Sequence, residues 1–310
     1  MKILHLCPSH IATGGTEGIH NLVHHLNLCG ADAKILYIGD KEKPQPEAYK
    51  KYECDYVTEF PEDFDGCVIF PEVWANQVLD TKYEKCKVAV NWQGVDVYYW
   101  NNPKRLYGLF LNRGDVLHIA NSEYAMDHLK ELGLKPIKIS DCLNDAYFKT
   151  YLEENRINAI LYNPTPVKLT QFQKIVMTRL KTEYGAKFTP ISGYTQDEVI
   201  DLFRHHKLYI DFGVFSGRER LPREAVMCGC CIVTSKLGTA AYFADNSIPD
   251  KYKCVDETDA IKTILTTLKE YDSCKQDFDE YRKLLKQDKE NYLTEVKELY
   301  NAIQHNNTSV

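Results

Sequence analysis

The sequence predicts an α/β protein made of two successive halves, each built around a parallel sheet. Three observations carry this. Short apolar runs alternate with stretches of helical periodicity, the pattern that gives strand–helix–strand units. The alternation restarts after a strongly polar stretch at residues 149–157, KTYLEENRI, the best linker candidate. And 310 residues are enough for two ordinary domains, here residues 1–150 and 151–310.

Composition narrows the class. Hydrophobic residues make up 44% and charged residues 26%, a core-forming balance rather than a disordered one. A net charge of −6 argues against a nucleic-acid footprint. The 11 cysteines are an odd number without a regular framework. Cys228, Cys230 and Cys231, spaced C-x-C-C, lack the paired knuckles of a zinc site and read as small buried side chains in a reducing compartment. MKILHLCPSH is too short in its apolar part for a signal peptide, and no apolar run approaches the roughly 20 residues of a membrane span. The expected location is the cytoplasm, and a peripheral contact with the inner face of a membrane is compatible with it.

In the first half, Lys2 to Cys7 reads as a central parallel strand. Pro8 to Thr16 reads as a loop carrying Gly14 and Gly15. The following helix, with Ile19, Leu22, Val23 and Leu26 on one face, is stopped by Gly30. Ala33 to Ile38 is the next strand. Backbone N–H groups at Gly14 and Gly15 are thus placed to face an anion, although neither a G-x-G-x-x-G fingerprint nor a P-loop is present. Residues 39–53 read as a polar surface loop. Further strands are expected at Tyr56–Phe60, Cys67–Phe70, Val88–Asn91 and Val116–Ala120. Trp92, Gln93, Gly94 and Asp96 follow the strand at 88–91, at the carboxyl end where open sheets place ligands. A tryptophan there can stack on a sugar face, and Gln93 and Asp96 can bond its hydroxyls. A capped turn with a packed tryptophan fits equally well. Asp96 is the leading general-base candidate if the reaction inverts configuration. Asn121 opens an amphipathic helix that ends at Gly133.

The second half begins with a strand at Ala159–Tyr162, an extended Asn163-Pro164-Thr165-Pro166 exit, and a helix over Leu169–Tyr184 stopped by Gly185. Lys187–Ile191 is the next strand, with Ser192-Gly193-Tyr194 turning at its carboxyl end. Thr195-Gln-Asp-Glu198 is a capping box that opens a helix to His206. His205 and His206 read as helix-end residues favoured by the dipole. Asp211 to Ser235, DFGVFSGRERLPREAVMCGCCIVTS, is the most informative stretch. It runs from the end of a buried strand, through a loop with Arg218, Arg220 and Arg223, into a short helix stopped by Gly229, then to a second strand. Pro222 sits where a first helical turn tolerates it. Cations beside a helix N-terminus suit phosphate, and Glu224 just inside the helix can accept two ribose hydroxyls. A solvated charged loop is the plainer reading of any one arginine. Glu257 to about Gln304 is helical in pattern, interrupted near Asp272-Ser273.

GRERLPREAVMCGCCIVTS resembles the C-terminal donor-site segment of retaining, nucleotide-sugar-dependent glycosyltransferases of family 4 (group 1), which have the B-type fold. The likeness is close over residues 211–235 and loose over the whole length. It implies two Rossmann-like domains whose parallel sheets face each other across a cleft, an N-terminal acceptor-side domain and a C-terminal donor domain, with C-terminal helices crossing back to the first. Such segments carry two glutamates eight positions apart. Here the second matches Glu224, while Ser216 stands at the first. The sugar contact must therefore differ, with Glu219 or an arginine as substitutes, and the stereochemical outcome stays open.

The resemblance also implies that Gly14, Gly15 and Thr16 (GGTEG at 14–18) approach the donor diphosphate. Lys168 takes the basic role of the second domain's first loop, and Gly193 and Tyr194 lie beside the base. Ser216, Gly217, Arg218, Arg220, Arg223 and Glu224 complete the donor set. Asp96, Glu224 and Arg218 are the catalytic candidates, and Trp92, Gln93, Gly94 and Asp96 face the sugar or acceptor. No D-x-D-like acidic cluster suits a divalent cation, so metal independence is expected, with arginines, lysine and helix N-termini meeting the charge of the leaving diphosphate. No cofactor is expected beyond a nucleotide-diphosphate sugar as co-substrate. A glycan or polysaccharide precursor is the expected acceptor. An epimerase on the same frame and a non-catalytic nucleotide-sugar-binding protein remain alternatives.

Overall fold

The computed structural model describes residues 1–42, 44–96, 114–149 and 156–305. The chain divides into two compact units, Met1–Asp141 together with the chain from Glu290 on, and Cys142–Lys289. Most of the 149–157 linker candidate lies outside the described residues. Its end does not behave as a linker. Arg156 donates to the carbonyls of Phe203, His206 and Cys228, and Ile157 already begins a strand. At Arg156, the one polar residue described there beside Lys149, the guanidinium satisfies three backbone carbonyls of the second unit.

The first unit holds a seven-stranded parallel sheet: β1 (Lys2–Pro8), β2 (Asp32–Ile38), β3 (Tyr56–Val57), β4 (Cys67–Pro71), β5 (Lys87–Trp92), β6 (Leu117–Ala120) and β7 (Pro136–Lys138), in the order 3-2-1-4-5-6-7. The chain builds outward from β1 through β2 to β3, then returns to the other side of β1 with β4. That reversal is a topological switch point, where open parallel sheets hold ligands. The central strands are apolar on both faces, as expected of a sheet covered on both sides. Ile3, Leu4, Leu6, Val68, Phe70, Val88 and Val90 are all buried. β7 was not anticipated, because it is only three residues long, opens on Pro136 and holds a single apolar strand former, Ile137. Residues 39–53 are not wholly a surface loop. Glu47–Tyr52 forms a 3-10 turn that buries Tyr49 and Tyr52.

Helix α1 (Gly14–Leu28) follows β1, and α2 (Glu123–Glu131) follows β6. Gly14 and Gly15 are the first turn of α1, not a loop before it. Thr13 is the N-cap, and its hydroxyl accepts from the Thr16 N–H in a capping box.

The second unit holds a four-stranded parallel sheet of β8 (Ile157–Tyr162), β9 (Lys187–Pro190), β10 (His206–Asp211) and β11 (Cys231–Thr234), ordered 11-10-8-9. Here the chain goes from β8 outward to β9 and returns to pair β10 on the other side of β8, so this sheet has its own switch point. Its helices are α3 (Gln171–Tyr184), α4 (Gln196–His205), α5 (Arg220–Met227), α6 (Glu257–Lys269), a single turn α7 (Tyr271–Cys274) and the long α8 (Asp279–His305). α3 stops at Gly185, which takes the left-handed φ of 66° that glycine tolerates.

Residues of α8 from Glu290 on belong to the first unit. Within that unit, Glu295 accepts from the Ser140 N–H and hydroxyl at 2.7 and 3.0 Å, and Lys87 caps the last turn at the carbonyls of Ile303 and Gln304. All 11 cysteines are free thiols, and burial pushes Cys228 and Cys231 up to about 12.

Candidate functional site

In the first unit the carboxyl ends of β1, β4 and β5 gather Gly14, Gly15, Glu72, Gln93 and Gly94. Gln93 organises them. Its side-chain amide lies across the first turn of α1 and donates from Nε2 to the Gly15 carbonyl at 3.0 Å. A Cβ on Gly15 would sit 3.0 Å from Gln93 Oε1, and one on Gly18 would sit 2.8 Å from Nε2. The GGTEG glycines therefore let an amide from β5 approach the helix closely. The Gln93 backbone is held in turn by Glu72, whose Oε2 accepts from the Gln93 N–H at 3.4 Å. Burial raises Glu72 to about 7, although backbone N–H groups including those of Gln93 and Gly94 pull the other way. Sequence reasoning missed Glu72. A lone acid directly after an apolar strand run, with no basic residue beside it, was the available signal.

Two residues expected to meet a ligand here face inward instead. Trp92 is fully buried in the sheet core, and its indole N–H donates to His118 Nδ1 at 3.1 Å. As the last residue of β5 it points to the packed face, so it cannot stack on a sugar. The Thr16 hydroxyl sits among the Ile11 carbonyl, the Thr13 carbonyl and the Tyr49 hydroxyl. It closes the capping box rather than reaching outward. Asp96 is half-buried and accepts from the Tyr124 hydroxyl at 3.1 Å. Burial raises its pKa against the pull of that hydrogen bond.

In the second unit the loops after β8 and β10 meet at the switch point. Lys168, from the β8 loop, donates to the Val214 carbonyl at 2.7 Å and pairs with Glu219 Oε1 at 3.0 Å. It also lies over the Phe215 ring, 5.1 Å from the centroid. Glu219 Oε1 further accepts from the Ser216 N–H at 3.2 Å and the Ser216 hydroxyl at 3.3 Å. Beneath them is Asp211, the last residue of β10, which accepts from the Gly213 N–H and the Tyr209 hydroxyl. Burial raises Asp211 to about 6, opposed first by the charge of Lys168. Gly213 is required by this crowding, since a Cβ there would meet Lys168 Cδ at 2.8 Å and Asp211 Oδ1 at 3.1 Å.

The three arginines separate. α5 begins at Arg220, so Arg220 and Arg223 belong to the helix rather than to the loop before it. Arg220 pairs with Glu224 one turn on, Nε to Oε1 at 3.7 Å, at the start of the helix. Arg223 is fully buried and donates to the backbone carbonyls of Glu219 and Arg218. Arg218 is buried against Asp288 of α8, at 2.5 Å. Arg218 and Arg223 therefore hold the loop in shape, and neither presents its guanidinium to a phosphate. Gly217 is fixed by its carbonyl, which accepts from the Thr239 hydroxyl. Gly193 and Tyr194 follow β9; Gly193 takes a positive φ of 76°, and Tyr194 is exposed.

No family model matches the chain, and no curated protein sequence matches it. Solved structures do. HepE of Anabaena, in a crystal structure with UDP-glucose, superposes with a TM-score of 0.68 at 13% identity over 98% of this chain and 99% of that one. A glycosyltransferase from Rickettsia africae gives 0.66 at 15% identity over 99% of each. Sucrose-phosphate synthase from Thermosynechococcus elongatus gives 0.71 at 12% identity over 98% and 99%. At such identities the likeness establishes the fold. The chain has the B-type, two-Rossmann glycosyltransferase fold over its whole length.

Proposed function

We propose that the protein transfers a sugar from a nucleotide-diphosphate donor to a hydroxyl acceptor, with the donor held by the second unit. The observation that supports this most is the β8–β10 switch point. It brings a buried lysine, a serine-bearing loop and the N-terminus of α5 to one sheet edge, in a fold shared with a UDP-glucose-bound protein.

In the reaction the bond from the anomeric carbon to the diphosphate breaks, and a bond to the acceptor oxygen forms. Charge accumulates on the leaving diphosphate. Lys168, Arg220 and the N–H groups of the first turn of α5 are the groups to meet it. Glu224 accepts the ribose hydroxyls, and Gly193 and Tyr194 border the base. In the first unit, Gln93, Gly94 and Asp96 face the acceptor, while Gly14 and Gly15 supply the helix N-terminus nearest the Gln93 amide. Asp96 takes the acceptor proton, a role suited to a carboxylate raised above its usual range. The acceptor class is a glycan or polysaccharide precursor. Among the described residues no helix is long and apolar enough to cross a membrane.

The test is thermal stabilisation of wild type and Glu224→Ala by UDP, GDP, ADP, CDP and dTDP. One of these at 100 times its dissociation constant is expected to add about 2.7 kcal/mol to the wild type, and the variant to lose that gain. If no diphosphate shifts the folded wild type, the donor site is not where this reading puts it, and the reading fails.

A further inference from the structure

Glu219 is the N-cap residue of α5, yet its side chain does not cap the helix. It turns back and places Oε1 among three donors, the Lys168 ammonium, the Ser216 N–H and the Ser216 hydroxyl. Its second oxygen, Oε2, makes no hydrogen bond among the described residues. The side chain is about one-fifth exposed, and that of Lys168 about one-tenth. A carboxylate is thus fixed by one oxygen, with the other left to accept, directly beside Lys168.

This arrangement has two opposed consequences for a ligand. A carboxylate next to the phosphate-binding lysine repels a diphosphate and competes for the ammonium. A fixed, unoccupied carboxylate oxygen is a strong acceptor for a hydroxyl, since hydrogen bonds to charged groups exceed neutral ones. A bare nucleoside diphosphate meets only the repulsion. A nucleotide sugar carries hydroxyls just beyond the phosphate and meets both. Resting on the donor reading above, we propose that Glu219 is the residue that discriminates nucleotide sugar from nucleoside diphosphate. It holds a sugar hydroxyl at Oε2 and weakens retention of the diphosphate product once the sugar has left.

The experiment measures dissociation constants by calorimetry for UDP and UDP-glucose, GDP and GDP-mannose, and ADP and ADP-glucose. Wild type, Glu219→Gln and Glu219→Ala are compared, each first checked for a cooperative melt. For the pair that binds, both variants should hold the diphosphate as tightly as wild type or tighter. They should bind the nucleotide sugar more weakly, so that the preference for sugar over diphosphate falls about tenfold or more. Losses equal for both ligands would mean that Glu219 only shapes the loop, and an unchanged preference would mean that it touches no hydroxyl. Either result overturns the assignment while leaving the donor site standing. Absence of binding by any diphosphate to folded wild type would instead overturn the donor reading, and this assignment with it.

Discussion

The two switch points solve the same geometric problem with different chemistry. In the first unit the helix following β1 is overlaid by a neutral amide, Gln93, seated on glycines and backed by a buried carboxyl group, Glu72. In the second, the loops after β8 and β10 are held by charge, Lys168 with Glu219 and Arg218 with Asp288, and the helix that follows opens on a further pair, Arg220 with Glu224. A neutral lining suits hydroxyl recognition, which needs hydrogen bonds and little net charge. Compensated charges suit an anionic ligand, which can replace one internal partner with another. On the proposed reading, the difference separates the units by ligand type, with the polyanion going to the second.

That contrast is broken most severely at Arg218. Its side chain and that of Asp288 are almost completely buried, and removing one member of such a pair leaves an uncompensated charge. Arg218→Ala should destabilise the protein by about 3–5 kcal/mol in chemical denaturation, with Asp288→Ala close behind. If Arg218 instead served a phosphate, the variant would melt like wild type and lose only ligand-induced stabilisation.

A smaller effect sharpens the neutral side of the comparison. Glu72 is raised from the ordinary value of 4.5 to about 7, mainly by burial. The folded protein therefore keeps a proton that the unfolded chain gives up. This group's contribution is fully present below about pH 4.3 and is lost as pH rises to about 7, so stability falls across that window. Glu72→Gln keeps the shape and an acceptor for the Gln93 N–H but cannot titrate. Relative to wild type it should gain up to about 3 kcal/mol between pH 4.5 and pH 8. A pH-independent difference between the two proteins would show that Glu72 is not held neutral by its surroundings.

How much of this was legible in the sequence follows from the range of the interactions. Most strand runs, the Thr195 capping box and the glycine stops are local, and they were read where the structure has them, although β7 was missed and β3 is shorter than expected. The position of the candidate loops at strand carboxyl ends was also legible, because it depends only on strand order and direction. What escaped was set at long range. Arg218 looked like a phosphate ligand because its partner lies 70 residues away in α8. Trp92 looked available because its burial is decided by His118 and the core around β5, not by its neighbours in sequence. The GGTEG glycines were read as facing an anion, and nothing local to them could reveal that Gln93, 78 residues on from Gly15, also lies against them. Glycine pairs report crowding without saying what crowds them.

The mildest change tests whether the two sets of glycines differ as their surroundings do. A Cβ on Gly18 meets chiefly the amide end of Gln93, at 2.8 Å, with Asp141 Oδ1 at 3.3 Å. The end of a flexible side chain can swing aside. Gly18→Ala then forfeits the hydrogen bond from Gln93 to Gly15, about 1 kcal/mol, and gains a similar amount from helix propensity within α1. The net change in melting should be close to zero, and Gly18→Ala placed on a Gln93→Ala background should stabilise by about 1 kcal/mol. At Gly213 the obstacle is the lysine itself, with Lys168 Cα at 3.2 Å as well as Cδ at 2.8 Å, so backbone as well as side chain must move. Gly213→Ala should therefore weaken nucleoside-diphosphate stabilisation where Gly18→Ala leaves it intact. Equal losses in the two variants would mean that the anion is shared by both units, and the division of ligand types between them would have to be abandoned.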